Sequence, residues 1–182
     1  MNNPTVPRQG LQFMKRAVVI SLILPLLLFF GCKVNYSFTG ASVSPNAKTI
    51  SIHYFQNNAS LVVPTLSRVF TDALRDYFSS QTNLVLVDNN GDLDIAGAIT
   101  GYTVQPVAIQ GNETAAQNRL TITVKITFTN KTSEKQNFKD FSLSRYLDYS
   151  STQNLNAVQD QLISDIDDQL IQDIFNKTVV NW

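Results

Sequence analysis

Hydrophobic and polar side chains alternate along this chain with two different periods, and each period predicts a type of element. Apolar side chains recur at helical spacing from Pro64 to Phe78 and again from Leu155 to near Lys177, which predicts two amphipathic helices. Alternation with a period of two, together with one short apolar run, predicts strands. These strands cover residues 49–55, 84–87, 93–106, 119–131 and 141–149.

The cleanest alternation lies in residues 119–131, where Ile122, Val124, Ile126 and Phe128 share one face and threonines and lysines share the other. Each helix and each strand therefore has one apolar face to bury. The economical solution is an α+β two-layer sandwich, with both helices on one face of a mainly antiparallel sheet of four to five strands. Turn signals follow the second strand and join the last two. Gly97 and Gly101 inside a strand predict a bulge or a close approach of the backbone.

A different pattern precedes the domain. Lys15 and Arg16 are followed by a mainly apolar run to Phe30 and then by Gly31 and Cys32. This order is typical of a secretory signal, and the run is short for a bilayer span. A cysteine directly after a small residue favours a lipoprotein signal, although Phe29 stands where leucine is usual. An ordinary signal peptide with an incidental cysteine and an uncleaved anchor are the alternatives.

The lipoprotein interpretation divides the chain into three parts. Residues 1–31 are the signal, with 1–13 an upstream extension if Met14 is the true start. Residues 32–47 are a lipidated tether that begins at Cys32, and residues 48–182 are a single α+β domain. The covalent lipid on Cys32 is the only attached group that we expect.

Composition excludes several classes of function. Cleavage before Cys32 removes Arg8, Lys15 and Arg16 and leaves 151 residues with 11 basic and 14 acidic side chains, so bulk charge does not favour nucleic-acid binding. With one cysteine and one histidine, an internal disulfide is impossible and a zinc site is not expected. No nucleophile elbow, phosphate loop or dinucleotide motif occurs. We therefore predict no catalytic residues and no metal ligands.

Charge is unevenly distributed along the chain. Residues 117–147 contain six cations and two acids, whereas residues 153–177 contain five aspartates and one lysine. A basic hairpin opposite an acidic helix could hold an anionic head group on the polar face of the sheet. Solvated lysines on an edge hairpin are the alternative interpretation. The candidate contacts for an anionic lipid are Arg119, Lys125, Lys131, Lys135 and Lys139.

Seven short motifs follow one another in a fixed order after Cys32. They are residues 36–40 (YSFTG), 48–52 (KTISI), 64–67 (PTLS), 70–74 (FTDAL), 91–93 (GDL), 118–122 (NRLTI) and 173–176 (DIFN). They span nearly the whole mature chain and none is catalytic. In this joint order they resemble the Bacteroidetes branch of the LptE family, the lipopolysaccharide-assembly lipoproteins.

The resemblance implies a non-enzymatic lipoprotein that is seated as a plug in a large outer-membrane β-barrel, the lipopolysaccharide translocon, in a 1:1 complex. It implies roles in barrel assembly and in lipopolysaccharide delivery. The candidate basic contacts rest on the charge count and not on the resemblance. Lys33-Val34-Asn35 lacks an aspartate after Cys32 and lacks an acidic run. That pattern fits an outer-membrane lipoprotein that faces the periplasm and the barrel lumen.

Two other functions fit the residues less well. One is a periplasm-facing lipoprotein of another envelope assembly or secretion system, because an opening strand such as residues 50–55 is widespread. The other is a lipid-anchored hydrolase that uses Asp92, Asp94 or His53. Two carboxylates on one strand face can perform acid–base chemistry, although aspartates at the start of a strand are more often structural.

Overall fold

The computed structural model describes residues 46–107 and 116–180. The signal, most of the tether with Cys32, and most of the loop expected at residues 110–117 lie outside the described residues. The helices are α1 (Leu66–Gln81) and α2 (Leu155–Phe175), and α2 continues as a π-helix over Asn176–Val180. The strands are β1 (Thr49–Ile52), β2 (Gln56–Asn57), β3 (Val85–Val87), β4 (Leu93–Val107), β5 (Gln117–Asn130) and β6 (Phe138–Ser150).

The strands form one mixed sheet in the order β3-β1-β4-β5-β6, with the two-residue β2 also paired to β4. β1 is parallel to both β3 and β4, whereas β4, β5 and β6 form a long antiparallel meander. The predicted α+β sandwich is confirmed. The sheet has six strands rather than four to five, because β2 is too short to leave a pattern in the sequence.

Both helices cover the same face of the sheet and run in the same direction. Their amino-terminal parts line one cleft, which includes Leu66 of α1 and Asp160 of α2. At the other end, the rings of Tyr77 and Phe78 each meet the ring of Phe175 at 5.2 Å between centroids. The parallel direction follows from the chain path, since each helix returns to the same end of the sheet.

The apolar faces predicted from alternation form the core, and the two glycines of β4 shape it. The ring of Phe55 lies against Gly97, where a side chain would also meet the carbonyl oxygen of Lys125 at 2.5 Å. Further along, a bulge between Ile99 and Gly101 turns both Ile99 and Tyr102 toward the helices. Without the bulge these two side chains, three residues apart, would point to opposite faces. Both expectations for the glycines are confirmed.

The link between β3 and β4 passes over β1, because the two strands lie on opposite sides of β1 and run parallel to it. Gly91 crosses directly above the backbone of β1, and its amide donates a hydrogen bond to the Ser51 hydroxyl at 3.2 Å. The next residue fastens the crossing: the Asp92 carboxylate accepts bonds from the amides of Lys48 and Thr49 at 2.8 and 3.0 Å. Ser51 is fully buried beneath this link.

One acidic residue of α2 is buried, whereas its neighbours Asp165 and Asp168 are exposed. Asp167 is 2 % exposed, and neither carboxylate oxygen has a hydrogen-bond partner among the described residues. Burial, with a smaller contribution from the charge of Asp168, raises the pKa of Asp167 to about 8. The folded domain therefore holds this carboxyl protonated at neutral pH.

We predict that Gly91→Ala destabilises the domain by about 2–4 kcal/mol. Its Cβ would lie 2.5 Å from the Ser51 nitrogen and 2.6 Å from the Leu93 carbonyl oxygen, both backbone atoms that cannot move independently. The matched control is Gly101→Ala, whose Cβ would meet only the Thr123 side chain, at 3.1 and 3.2 Å, among its close contacts. Urea unfolding measures both variants. Equal stability of the two would contradict the tight crossing.

We predict that Asp167→Asn raises the free energy of unfolding at pH 7 by roughly 1–3 kcal/mol. The folded pKa of about 8 lies above the ordinary value of 3.8, so the unfolded chain releases this proton first as the pH rises. Stability should fall between about pH 4 and pH 8 in the parent protein, and the fall should flatten in the variant. Urea unfolding across this pH range measures it, with exposed Asp165→Asn as control. An unchanged slope would show that Asp167 is not the group that titrates.

Candidate functional site: the open face of the sheet

The face of β4, β5 and β6 that points away from the helices is polar, and its side chains are half-buried or exposed. Small and hydroxyl-bearing residues dominate it, as the register of the three strands shows. We call this surface the open face. Its main residues are Ala96, Ala98, Thr103, Thr121, Thr123, Thr127, Thr129, Ser142, Ser144 and Tyr146. It can offer many hydrogen bonds and little apolar area to a partner.

Three of the five predicted basic contacts form a row on the open face, two of them on β5 and the third directly after its last residue. Arg119, Lys125 and Lys131 are spaced by six residues, and an even spacing keeps them on one side of a strand. Six residues of strand span about 20 Å, so the three cations form a row and not a compact pocket. Lys125 is exposed near the middle of this row, opposite Ser142 of β6 and Ala98 of β4.

Arg119 is already neutralised within the sheet. It donates two hydrogen bonds, at 2.7 and 2.8 Å, to the two carboxylate oxygens of Asp148, its direct partner across the strands. Its guanidinium also stacks over the Tyr146 ring at 3.7 Å. The hydrogen bonds with Asp148 raise the pKa of Arg119 and lower the pKa of Asp148. Arg119 therefore adds little uncompensated positive charge to the open face.

The other cations of the hairpin are divided between two places. Lys135 is exposed in a short 3₁₀ helix (Glu134–Gln136) of the connection that begins with Lys131, and Lys139 is exposed as the second residue of β6. Arg145 instead points to the helix layer and binds Asp173 of α2 through two hydrogen bonds, at 2.6 and 2.8 Å. The basic hairpin and the acidic helix thus touch directly at one ion pair.

A polar cleft lies at the Lys131 end of the open face. It brings together His53 after β1, Asp94 of β4, Lys131 and the crossing link. His53 Nε2 lies 2.8 Å from Asp94 Oδ2, and the Lys131 ammonium donates to the Asn90 carbonyl at 3.0 Å. Asn90 itself has a positive φ of 61°, an uncommon conformation for a residue other than glycine.

The cleft does not have the geometry of a hydrolytic triad. Such a triad needs the histidine between the nucleophile and the carboxylate. Here the Ser51 hydroxyl and the His53 ring both bind the same oxygen of Asp94, and Ser51 is fully buried. The Asp92 carboxylate already accepts hydrogen bonds at the start of β1, where the Lys48 amide and then the Thr49 hydroxyl lower its pKa. The arrangement favours structure and binding over catalysis.

The acidic helix offers no metal site. Asp160, Asp165 and Asp168 are exposed, whereas Asp167 is buried and Asp173 binds Arg145. Over residues 46–107 and 116–180, no group of three or more histidine, cysteine or acidic side chains could hold a metal ion. The helices of this part of the chain are also not long and apolar enough to cross a membrane.

Sequence reasoning missed two parts of this surface. Ser142, Ser144 and Tyr146 of β6 share one face, and their alternation is visible in the sequence. A charge count does not identify them as part of the surface, because they are neutral. The His53–Asp94 contact could not be read from the sequence, because it depends on β1 lying beside β4 in parallel register. The parallel pairing of β1 with β4, with β3 on the other side of β1, leaves no local signal in the sequence.

The solved structures that are similar to this chain include the following two. One is a hypothetical protein from Chlamydia trachomatis, with a TM-score of 0.52 and 7 % identity over 74 % of this chain and 99 % of that chain. It supports the fold alone. The other is a minor lipoprotein from Acinetobacter baumannii, with a TM-score of 0.43 and 20 % identity over 72 % of this chain and 91 % of that chain. No curated protein matches this sequence.

A family model agrees with the motifs and with the fold. The model described as LptE, lipopolysaccharide-assembly, matches residues 47–178, which is more than two thirds of the chain and nearly all of the domain. The match begins just before β1 and ends within the π-helix, so it includes every strand and both helices. The chain therefore belongs to the LptE family of lipopolysaccharide-assembly proteins.

Proposed function

We propose that this protein is an outer-membrane lipoprotein of the lipopolysaccharide translocon, lipidated on Cys32 after removal of residues 1–31. The observation that carries the proposal is the family match over residues 47–178. The sequence order of Lys15, Arg16, an apolar run, Gly31 and Cys32 supports lipidation. Acyl chains on Cys32 would hold the domain at the membrane surface, where two or more chains anchor firmly.

The open face supports a role as the plug and assembly partner of a large β-barrel. Large barrels enclose a polar, water-filled interior, and a partner seated there needs a polar surface. The threonines and serines of β5 and β6 supply that surface, while the helices bury the apolar side of the sheet. The protein would act by binding and positioning in a 1:1 complex, without catalysis and without nucleic acid.

The lysines of the hairpin are the proposed contacts for lipopolysaccharide. Lipopolysaccharide is anionic, and lysines near an anionic head group each contribute about 1 kcal/mol to binding. Lys125 and Lys131 are the best placed, since both lie on the open face, Lys125 on β5 and Lys131 directly after it, and neither forms a salt bridge with a described residue. Lys135 and Lys139 extend the charge at the Lys131 end. Arg119 is a weaker candidate because Asp148 already binds it.

We expect full-length tagged protein, solubilised from membranes in mild detergent, to co-purify with one large outer-membrane β-barrel in a 1:1 ratio. Mass spectrometry of the purified complex identifies the partner and its stoichiometry. The same chain with Cys32→Ser is the control for the anchor. A membrane-bound protein that brings down no barrel would favour a lipoprotein of another envelope assembly system and would refute the translocon role.

We expect Lys125→Glu combined with Lys131→Glu to weaken binding to purified lipopolysaccharide by at least about tenfold, because two attractions become repulsions. Isothermal titration calorimetry at two salt concentrations measures the affinity of the parent and the variant for lipopolysaccharide. The difference in affinity between them should shrink at high salt. Arg68→Glu is the control and is compared with Lys125→Glu alone, which changes the net charge equally, since exposed Arg68 lies on α1 and pairs with Asp72 at 3.7 Å. Equal loss in the control would show that net charge matters and not the open face.

A further inference from the structure

Two neighbouring aliphatic side chains protrude from the loop between β2 and α1. Leu61 is 54 % exposed and Val62 is 60 % exposed, whereas Ala59 of the same loop is buried and Val63 is half-buried. Isolated apolar residues are ordinary on a protein surface, but adjacent ones on one loop more often mark an interaction site. We call Leu61 and Val62 the apolar tip.

Hydrogen bonds close the loop on both sides of the apolar tip. The Asn58 amide donates to the Ile99 carbonyl of β4 at 2.8 Å. The Asn57 side chain accepts from the Ala59 amide at 3.0 Å and donates to the Val63 carbonyl at 3.5 Å. The loop is therefore fastened to the sheet at its base, and the apolar tip extends from a fixed support.

The chain around the apolar tip carries no negative charge. Residues 56–71 contain one charged side chain, that of Arg68, and asparagine, serine and threonine flank the aliphatic residues. The first turn of α1, which follows the loop, contains no acidic residue, and the amino-terminal end of a helix is electrically positive. An aliphatic tip with an uncharged polar border and a cation behind it matches the order of hydrocarbon, interface and anionic phosphate in a lipid leaflet.

Acidic residues near Arg68 limit how deep a membrane contact can be. Asp160 of α2 is exposed and lines the cleft between the helices together with Arg68 and Thr65. Asp72 lies one turn beyond Arg68, with a carboxylate oxygen 3.7 Å from its guanidinium. Because it is costly to take these carboxylates into hydrocarbon, only the apolar tip can enter it.

We propose that the apolar tip inserts into the shallow part of the hydrocarbon layer of a lipid bilayer, so that this end of the domain contacts the membrane directly. The contact goes beyond the proposed function, because the loop contributes no residue to the open face. It is also separate from any acyl chain on Cys32. Insertion would remove the apolar area of Leu61 and Val62 from water and would fix which end of the domain faces the bilayer.

Another neighbouring pair of exposed aliphatic residues lacks these features and supplies the control. Val85 is 61 % exposed and Leu86 is 40 % exposed, but both lie in β3. Because successive side chains of a strand point to opposite faces, these two cannot enter one surface together. An acidic residue, Asp88, also follows β3 directly.

The test places a tryptophan at the apolar tip of the full-length protein and measures its quenching by bilayers with brominated acyl chains. Trp182→Phe removes the one native tryptophan, and Val62→Trp supplies the probe. The matched control carries Val85→Trp instead, at a position of nearly equal exposure. Vesicles of phosphatidylethanolamine and phosphatidylglycerol are purified by flotation, so that only bound protein is measured. Urea unfolding shows whether each variant keeps the fold.

We expect bromines placed about 5–10 Å below the head groups to reduce the emission of the Val62→Trp variant roughly twofold or more and to leave the Val85→Trp variant nearly unchanged. Adding Leu61→Asp to the Val62→Trp variant should abolish the quenching, because a carboxylate is excluded from hydrocarbon.

Absence of bound protein, absence of quenching at the apolar tip, equal quenching of both variants, or quenching that survives Leu61→Asp would overturn the proposal. So would a tip that is shielded from aqueous acrylamide but not quenched by bromine, because that result would indicate a protein cover. Shielding that depends on protein concentration would identify a second copy, and shielding found only in the barrel complex would identify the barrel. The bromine measurement uses neither lipopolysaccharide nor the barrel, so its failure leaves the proposed function untouched.

Discussion

The arrangement of the sheet depends on one crossing, where a five-residue link passes over β1 between β3 and β4. A parallel strand on each side of β1 requires this path, and the path is open only because Gly91 has no side chain above the backbone of Ser51. Asp92 then binds the amides at the start of β1 and sets the level at which β4 begins. From that point the register of β4, and through it of β5 and β6, is determined.

The register divides the side chains of the meander between two surfaces with different tasks. Toward the helices it places an apolar layer with side chains such as Ile122 and Phe128, and on the other side it places the hydroxyl-rich open face. Because of the bulge beyond Ile99, apolar side chains on both halves of β4, such as Ile99 and Tyr102, point toward the helices. A chain that buries one side of its sheet so completely can expose the other to a polar environment without loss of stability.

The sequence was sufficient for the local elements and insufficient for their lateral order. Residues 119–131 alternate strictly, and the stripe through Phe70, Leu74 and Phe78 has helical spacing, so periodicity alone located β5 and α1. The insertion of β1 between β3 and β4 was not predictable, because parallel pairing between distant segments has no turn signal. The same limit hid the cleft at His53. Charge counting found Lys125 but could not show that Asp148 already binds Arg119, since that pair depends on cross-strand register.

The buried carboxyl of Asp167 links the folding of this domain to the acidity of its surroundings. A group that is ionised in the unfolded chain and protonated in the folded domain means that folding at neutral pH takes up about one proton. In a compartment whose pH follows that of the external medium, that pH therefore affects the free energy of unfolding of the domain. Mild acid would favour the folded form.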